Sequence, residues 1–206
     1  MLLLMLCALL PGWSQQDTQT RKILETTSTR ISGDSGIRAK FRLRTYRRKA
    51  LQGELQGEIA MKGNRFVLTT PDSQTWFNGK TQWTYLSRNE EMNISNPTAE
   101  ELRSINPYAY LSLYKQGYNY RSKAVTYQGK SAYQVTLTPQ KKADIAYLIL
   151  WVTTDTYQVL RIQVNSSTED YMLIDPTSYK QGQALSDATF RPDLKSYPNA
   201  EIIDLR

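Results

Sequence analysis

From Ile37 to Arg44 the chain alternates without a break. Ile37, Ala39, Phe41 and Leu43 are apolar, and Arg38, Lys40, Arg42 and Arg44 are cationic. A period of two predicts a strand with one buried and one wet face over 37–48. Two readings stand for the wet face: a solvated edge protected by its charge, or a basic docking surface. The next run inverts the charge. Glu54, Gln56 and Glu58 alternate with Leu55, Gly57, Ile59 and Met61, so an acidic face is placed to pair across the sheet with the basic one. Lys62-Gly63-Asn64 predicts the turn into a strand beginning at Arg65.

Two aromatic-rich segments then flank Asn78-Gly79, a pair suited to the two positive φ angles of a type I′ hairpin turn. Trp83 and Tyr85 share one face of the second segment, and Glu91 to Ser95 predicts another strand. Between 96 and 118 the period changes. Thr98 and Glu101 fit a capping box for one short helix. Asn106, Pro107 and Gly117 fit the cap, first position and end of a second. Tyr110, Leu111, Leu113 and Tyr114 spread apolar surface around that second helix. It reads as a lid over a cavity or as a plain helix packed on a sheet.

Strands return after 118, in hairpins centred on Gln128-Gly129 and Asp155 and in a last strand within 169–185. The segment 145–153 is nearly all apolar and predicts burial on both faces. Ahead of all these, Ile23 and Leu24 form the apolar heart of a helix over 14–32, stopped by Gly33 to Gly36. Phe190, Pro192 and Pro198 read as tethers for the closing segment. The count is about ten strands in consecutive hairpins. That predicts a mainly β (α+β) fold: an incomplete antiparallel barrel or half-barrel with a few short helices. No internal repeat or domain boundary is evident.

Composition narrows the chemistry. The 206 residues contain no His and one Cys, Cys7. The usual general base, the Ser-His and Cys-His pairs and the commonest metal ligand are all missing. No paired-carboxylate motif replaces them, so the expectation is no enzyme, no metal and no cofactor. The net charge of +7 fits an anionic lipid or an acidic partner. Tyr outnumbers Phe by 14 to 4, which suits walls that are half wet and half greasy.

Met1 to Leu10 is an apolar run of signal-peptide length, too short to span a bilayer, and Pro11-Gly12 breaks it. Gly12 and Ser14 supply the small residues for a cut after Ser14. Leu6, ahead of Cys7, departs from a lipobox and disfavours lipidation. The expected organisation is a signal peptide over 1–14 and one domain over 15–206, exported to the periplasm, where nucleic acid is the least expected partner.

The stretches "GEIAMKGNRFVLTTPD", "WFNGKTQWTYL", "INPYAYLSLY", "YQVTLTP" and "ATFRPDLKSYPNAEIIDLR", in that order, resemble the periplasmic outer-membrane lipoprotein carriers, the LolA-like proteins. Each motif is weak alone; their order and spacing carry the resemblance. It implies a half-barrel closed by short lid helices, whose apolar cavity binds lipoprotein acyl chains. The carrier receives them from an inner-membrane release complex and hands them to an outer-membrane acceptor. It works as a monomer and without covalent chemistry. The implied lining is Phe41, Leu43, Ile59, Met61, Phe66, Leu68, Trp76, Trp83, Tyr85, Ile94, Tyr110, Leu111, Leu113 and Tyr114. Family members hold the lid with an arginine directly after the lysine of the turn. Here Gly63 and Asn64 follow Lys62 and Arg65 stands two positions late. Arg65, Arg42 and Arg44 are the lid or docking candidates. A lipid-binding or sensing module of the same fold is the alternative.

Overall fold

The computed structural model describes residues 18–206. The signal peptide, its cleavage site and Cys7 lie outside the described residues, as does the start of the expected first helix. That helix, α1 (Thr18–Ser32), buries Thr20, Ile23, Leu24, Thr27 and Ile31. This three-to-four-residue spacing lays one stripe on the sheet.

Six strands follow in a meander: β1 (Ile37–Arg47), β2 (Ala50–Lys62), β3 (Arg65–Thr69), β4 (Ser73–Phe77), β5 (Gln82–Leu86) and β6 (Glu91–Ser95). A helix, α2 (Ala99–Ile105), and a 3-10 helix, Ala109–Lys115, lead to a second meander. It consists of β7 (Tyr118–Tyr127), β8 (Lys130–Pro139), β9 (Ile145–Thr153), β10 (Val159–Ser166) and β11 (Tyr171–Gln181). The closing segment makes two short 3-10 turns, Asp187–Phe190 and Leu194–Ser196, and β12 (Glu201–Asp204).

All twelve strands form one open sheet in the order β12-β6-β5-β4-β3-β2-β1-β11-β10-β9-β8-β7. The expected half-barrel is therefore present. The expected run of consecutive hairpins holds only within each half, because β1 pairs with β11 and joins the two meanders. The chain from β6 to β7 must then cross from one end of the strand order to the other. It carries α2 and the 3-10 helix with it. β12 adds the single parallel pairing among the described strands, against β6.

The alternation in β1 sets the two faces. Ile37, Ala39, Phe41 and Leu43 point to the concave side with Ile59, Leu68, Leu137, Leu150 and Ile174. The basic residues point outward and meet the acidic face of β2: Lys40 and Arg38 approach Glu58 at 4.0 Å each, and Arg42 approaches Glu54 at 3.3 Å. Arg44 turns the other way, to Asp175 of β11 at 2.6 Å.

Three local expectations change. First, β9 is buried on one face only. Leu148, Leu150 and Val152 are fully covered, while Ile149 and Trp151 are half-buried and Tyr147 is exposed. Trp151 and Arg161 instead share the outer face with Tyr127, which stacks on Trp151 at 4.9 Å.

Second, Asn78-Gly79 does not make a two-residue turn. Gly79 has φ +100° and Asn78 is not in the left-handed region. The Asn78 side chain accepts from the Lys80 and Thr81 backbone N–H groups at 3.0 and 2.9 Å. With the Asn78 N–H donating to the Thr81 carbonyl at 3.2 Å, the turn is centred one residue later, on Gly79-Lys80. The geometry with two positive φ angles occurs at Gln128-Gly129 instead, with φ +51° and +74°.

Third, the expected second lid helix is a 3-10 helix. Asn106 accepts from the Tyr108 N–H at 2.9 Å, one turn ahead of it. The capping box of α2 is present: Glu101 N–H donates to Thr98, and Thr98 N–H donates to the Glu101 carboxylate at 2.7 Å.

Candidate functional site

A cavity of about 760 Å³ lies between the end of α1, the β2–β3 turn, the β4–β5 loop and the lid. Each wall follows from local sequence. Ile31 is the last buried residue of the α1 stripe. Met61 and Phe66 face each other in the β2–β3 register, and Phe66 faces Phe77 in β3–β4. The Phe66 and Phe77 rings sit 5.5 Å apart, tilted by 35°. Gly63, at φ +63°, makes the tight turn beneath them. From the lid come Leu102, Asn106, Tyr108 and Leu111.

The buried part of the lining, from floor and lid together, is apolar and soft. Met61, Phe66, Phe77, Tyr108 and Leu111 are all buried. Asn106 is a buried polar residue in this lining, which also carries Ser28, Ser32, Asn64 and Asn96. Its side chain is held by the Tyr108 N–H and lies 4.0 Å from the Met61 sulfur. Tyr108 is only 3% exposed, and its hydroxyl has no hydrogen-bond partner among the described residues. Such a group costs about 1–3 kcal/mol while unpaired. Burial drives its pKa far upward, so it stays a neutral donor. The rim carries Lys80, Arg103 and Lys115.

Of the predicted lining, Met61, Phe66 and Leu111 border this cavity. Phe41, Ile59, Leu68 and Leu113 are buried in the concave core beside it, with Leu43, Tyr110 and Tyr114 packed against that core.

The remaining four are on the other side of the sheet. Trp76, Trp83 and Ile94 stand in one cross-strand row, and Tyr85 lies on the same face. They form an outer cluster with Met92, Tyr197 and Ala200. This corrects the expectation that the aromatic hairpin lines the cavity. Residues 75–77 are Thr-Trp-Phe, and Trp76 and Phe77 are both buried, so both faces of β4 are covered there. Periodicity over those residues could not say which ring faced inward.

Arg65 is likewise not a lid latch. It points outward from β3, pairs with Asp187 and lies over the Phe190 ring at 5.1 Å. Arg42 and Arg44 are also outside, joined to Glu54 and Asp175. Arg161 grips the same Asp175 through two bonds of 2.5 and 2.9 Å. Burial acts to raise the Asp175 pKa, but the hydrogen bonds from Arg161 and Arg44 overcome it and hold the carboxyl below its usual range. Arg44 is therefore part of a structural triad rather than a docking patch.

Sequence reasoning missed Ile31, Phe77, Leu102, Tyr108 and the three rim cations. The usable signal was the neighbour rule: when Trp76 is outward, Phe77 must be inward. Among the described residues, no group of His, Cys, Asp and Glu side chains is placed to hold a metal ion, and no helix is long and apolar enough to cross a membrane.

Fold and cavity together define a class: open β half-barrels with an apolar concave face covered by short helices. Residues 10–168 match the family model described as Outer membrane lipoprotein carrier protein LolA, and the chain belongs to that family. No curated protein matches the sequence. Among solved structures, the fold is similar to that of an uncharacterized conserved protein from Thermus thermophilus. The identity is 13% and the TM-score 0.61, over 90% of this chain and 99% of that one. It is also similar to a DUF1329 family protein from Desulfovibrio piger, with 12% identity and a TM-score of 0.53 over 86% and 98%. A LolA superfamily protein from Nitrosomonas europaea shares 12% identity and a TM-score of 0.50, over 84% and 98%.

Proposed function

We propose that this chain is a periplasmic carrier that takes lipoprotein acyl chains into the cavity under the lid. It accepts its cargo from an inner-membrane release complex and delivers it to an outer-membrane acceptor. It acts as a monomer and performs no covalent chemistry. A signal peptide over 1–14 and one domain over 15–206 fit this route.

One observation carries the reading: an apolar cavity of about 760 Å³, floored by Met61, Phe66 and Phe77 and roofed by the short connection that carries Leu102 and Leu111. That volume lies within the usual range of about 300–1,000 Å³ for small-ligand sites. Each acyl methylene removed from water contributes about 0.8 kcal/mol, so a partly inserted chain binds well. A methionine- and aromatic-lined floor grips without fixing one shape, which lets the cargo leave again. The family description of lipoprotein carriage supports the same reading.

The test is native mass spectrometry with lipid extraction on the chain from Gln15 onward, purified from a periplasm that makes lipoproteins. A co-purified triacylated polypeptide is expected. Ala109 lines the cavity from the 3-10 helix, and Ala109→Trp fills it and should abolish co-purification while the protein stays folded. Free lipid without polypeptide would replace the carrier by a lipid-binding module. A chain that stays empty when offered lipopeptide would overturn both.

A further inference from the structure

Three cations surround the cavity mouth without a carboxylate among them. Lys80 comes from the β4–β5 loop, Arg103 from α2 and Lys115 from the end of the 3-10 helix, and the lining contains no Asp or Glu. Among the described residues, none of the three belongs to an ion pair. Arg103 reaches only the Gln116 amide oxygen, at 3.4 Å, and Lys115 lies 5.5 Å from the Tyr114 ring centre. The outer face is arranged differently. There Arg38, Lys40, Arg42 and Arg44 each approach a carboxylate. Along β1 the outward cations are thus matched by carboxylates, and the three at the cavity mouth are not.

An apolar floor needs no such rim to hold a hydrocarbon chain. A rim of one sign raises the local concentration of the opposite charge and orients it at the entrance. We propose that, besides lipoprotein acyl chains, the cavity takes an anionic phospholipid monomer, with acyl chain against Met61, Phe66, Phe77 and Leu111 and phosphate among Lys80, Arg103 and Lys115. This rests on the acyl-chain reading of the cavity and adds a headgroup preference to it. Lys80 and Lys115 are exposed and Arg103 is half-buried, so the attraction is screened by salt.

The test uses the chain from Gln15 onward with short-chain, monomeric phosphatidylglycerol and chain-matched phosphatidylcholine, titrated calorimetrically at low and high salt. Phosphatidylglycerol should bind about tenfold tighter at low salt, from three cations each contributing a modest screened attraction. High salt should remove the preference. Combined Lys80→Gln, Arg103→Gln and Lys115→Gln should remove it too, by lowering phosphatidylglycerol affinity to that of phosphatidylcholine, with the melting curve unchanged. Equal binding of the two lipids by the native chain would overturn the headgroup preference and leave the acyl-chain reading standing. A preference that survives the triple substitution would overturn the assignment to these cations. Binding of neither lipid would remove the acyl-chain reading and this proposal with it.

Discussion

Trp76 and Tyr197 meet edge to face, with ring centroids 5.8 Å apart and planes at 81°, on the side of the sheet away from the cavity. Tyr197 also packs on Tyr85 at 4.5 Å and donates its hydroxyl to Gln74 at 3.2 Å. The closing segment thus covers an apolar face that the six-stranded meander leaves open. Its anchors are Phe190, fully buried, and the pairing of β12 with β6. Tyr197→Ala should lower stability by about 1.5–3 kcal/mol through lost aromatic burial. It should also shift tryptophan emission to the red, with lipid binding unchanged. Lost lipid binding with intact folding would place the outer cluster in the site.

Phe41 stands opposite Gly57 in the β1–β2 register, and its ring fills the space a side chain would need. A Cβ at Gly57 would fall 2.6 Å from the Phe41 ring and 3.1 Å from the Thr69 carbonyl oxygen. Phe41 is 2% exposed and has no room to turn aside. Gly57→Ala should therefore destabilise by about 1–3 kcal/mol. Thermal unfolding checks this, with a fall of about 2–4 °C per kcal/mol expected at this chain length.

Asp175 links β11 to Arg44 of β1 and Arg161 of β10. Its pKa is lower folded than unfolded, so the unfolded chain takes up the proton first. The triad's stabilisation is present above the unfolded value of about 3.9 and is lost as pH falls through the lower, folded value. Asp175→Asn should cost about 1.5–3 kcal/mol near neutrality by leaving two guanidinium groups without their carboxylate. Urea titrations from neutrality into acid should show the native chain losing more stability than the variant below about pH 4. Parallel losses would mean that Asp175 is not the group responsible.

Thr98 caps the lid helix. Its hydroxyl accepts from the Glu101 N–H, while the Glu101 carboxylate accepts from the Thr98 backbone and hydroxyl. The backbone bond first and the hydroxyl bond second hold the Glu101 pKa below its usual value. Thr98→Ala removes the second of these and costs the helix about 1 kcal/mol. Carbon-detected titration should find the Glu101 carboxyl moved upward. Amide exchange should quicken within 99–105 and leave the sheet unaffected.

Local chemistry was enough for the elements themselves. The alternation from Ile37 to Arg44, the matched acidic run after it, the Thr98–Glu101 box and the Gln128-Gly129 turn all act between neighbouring residues. Side-chain period and short-range hydrogen bonds therefore wrote them directly into the sequence. Tertiary structure decided which face became the cavity. β1 meets β11 across more than a hundred intervening residues, and only that pairing fixes which side is concave. The closing segment then claims the opposite side at Trp76, Trp83 and Tyr85. A strand can show that two rings share a face, but burial is settled by whatever chain comes to lie against that face. The rim follows the same rule. Arg103 and Lys115 ride on the crossing from β6 to β7, and that crossing brings them to the opening where Lys80 stands on the β4–β5 loop.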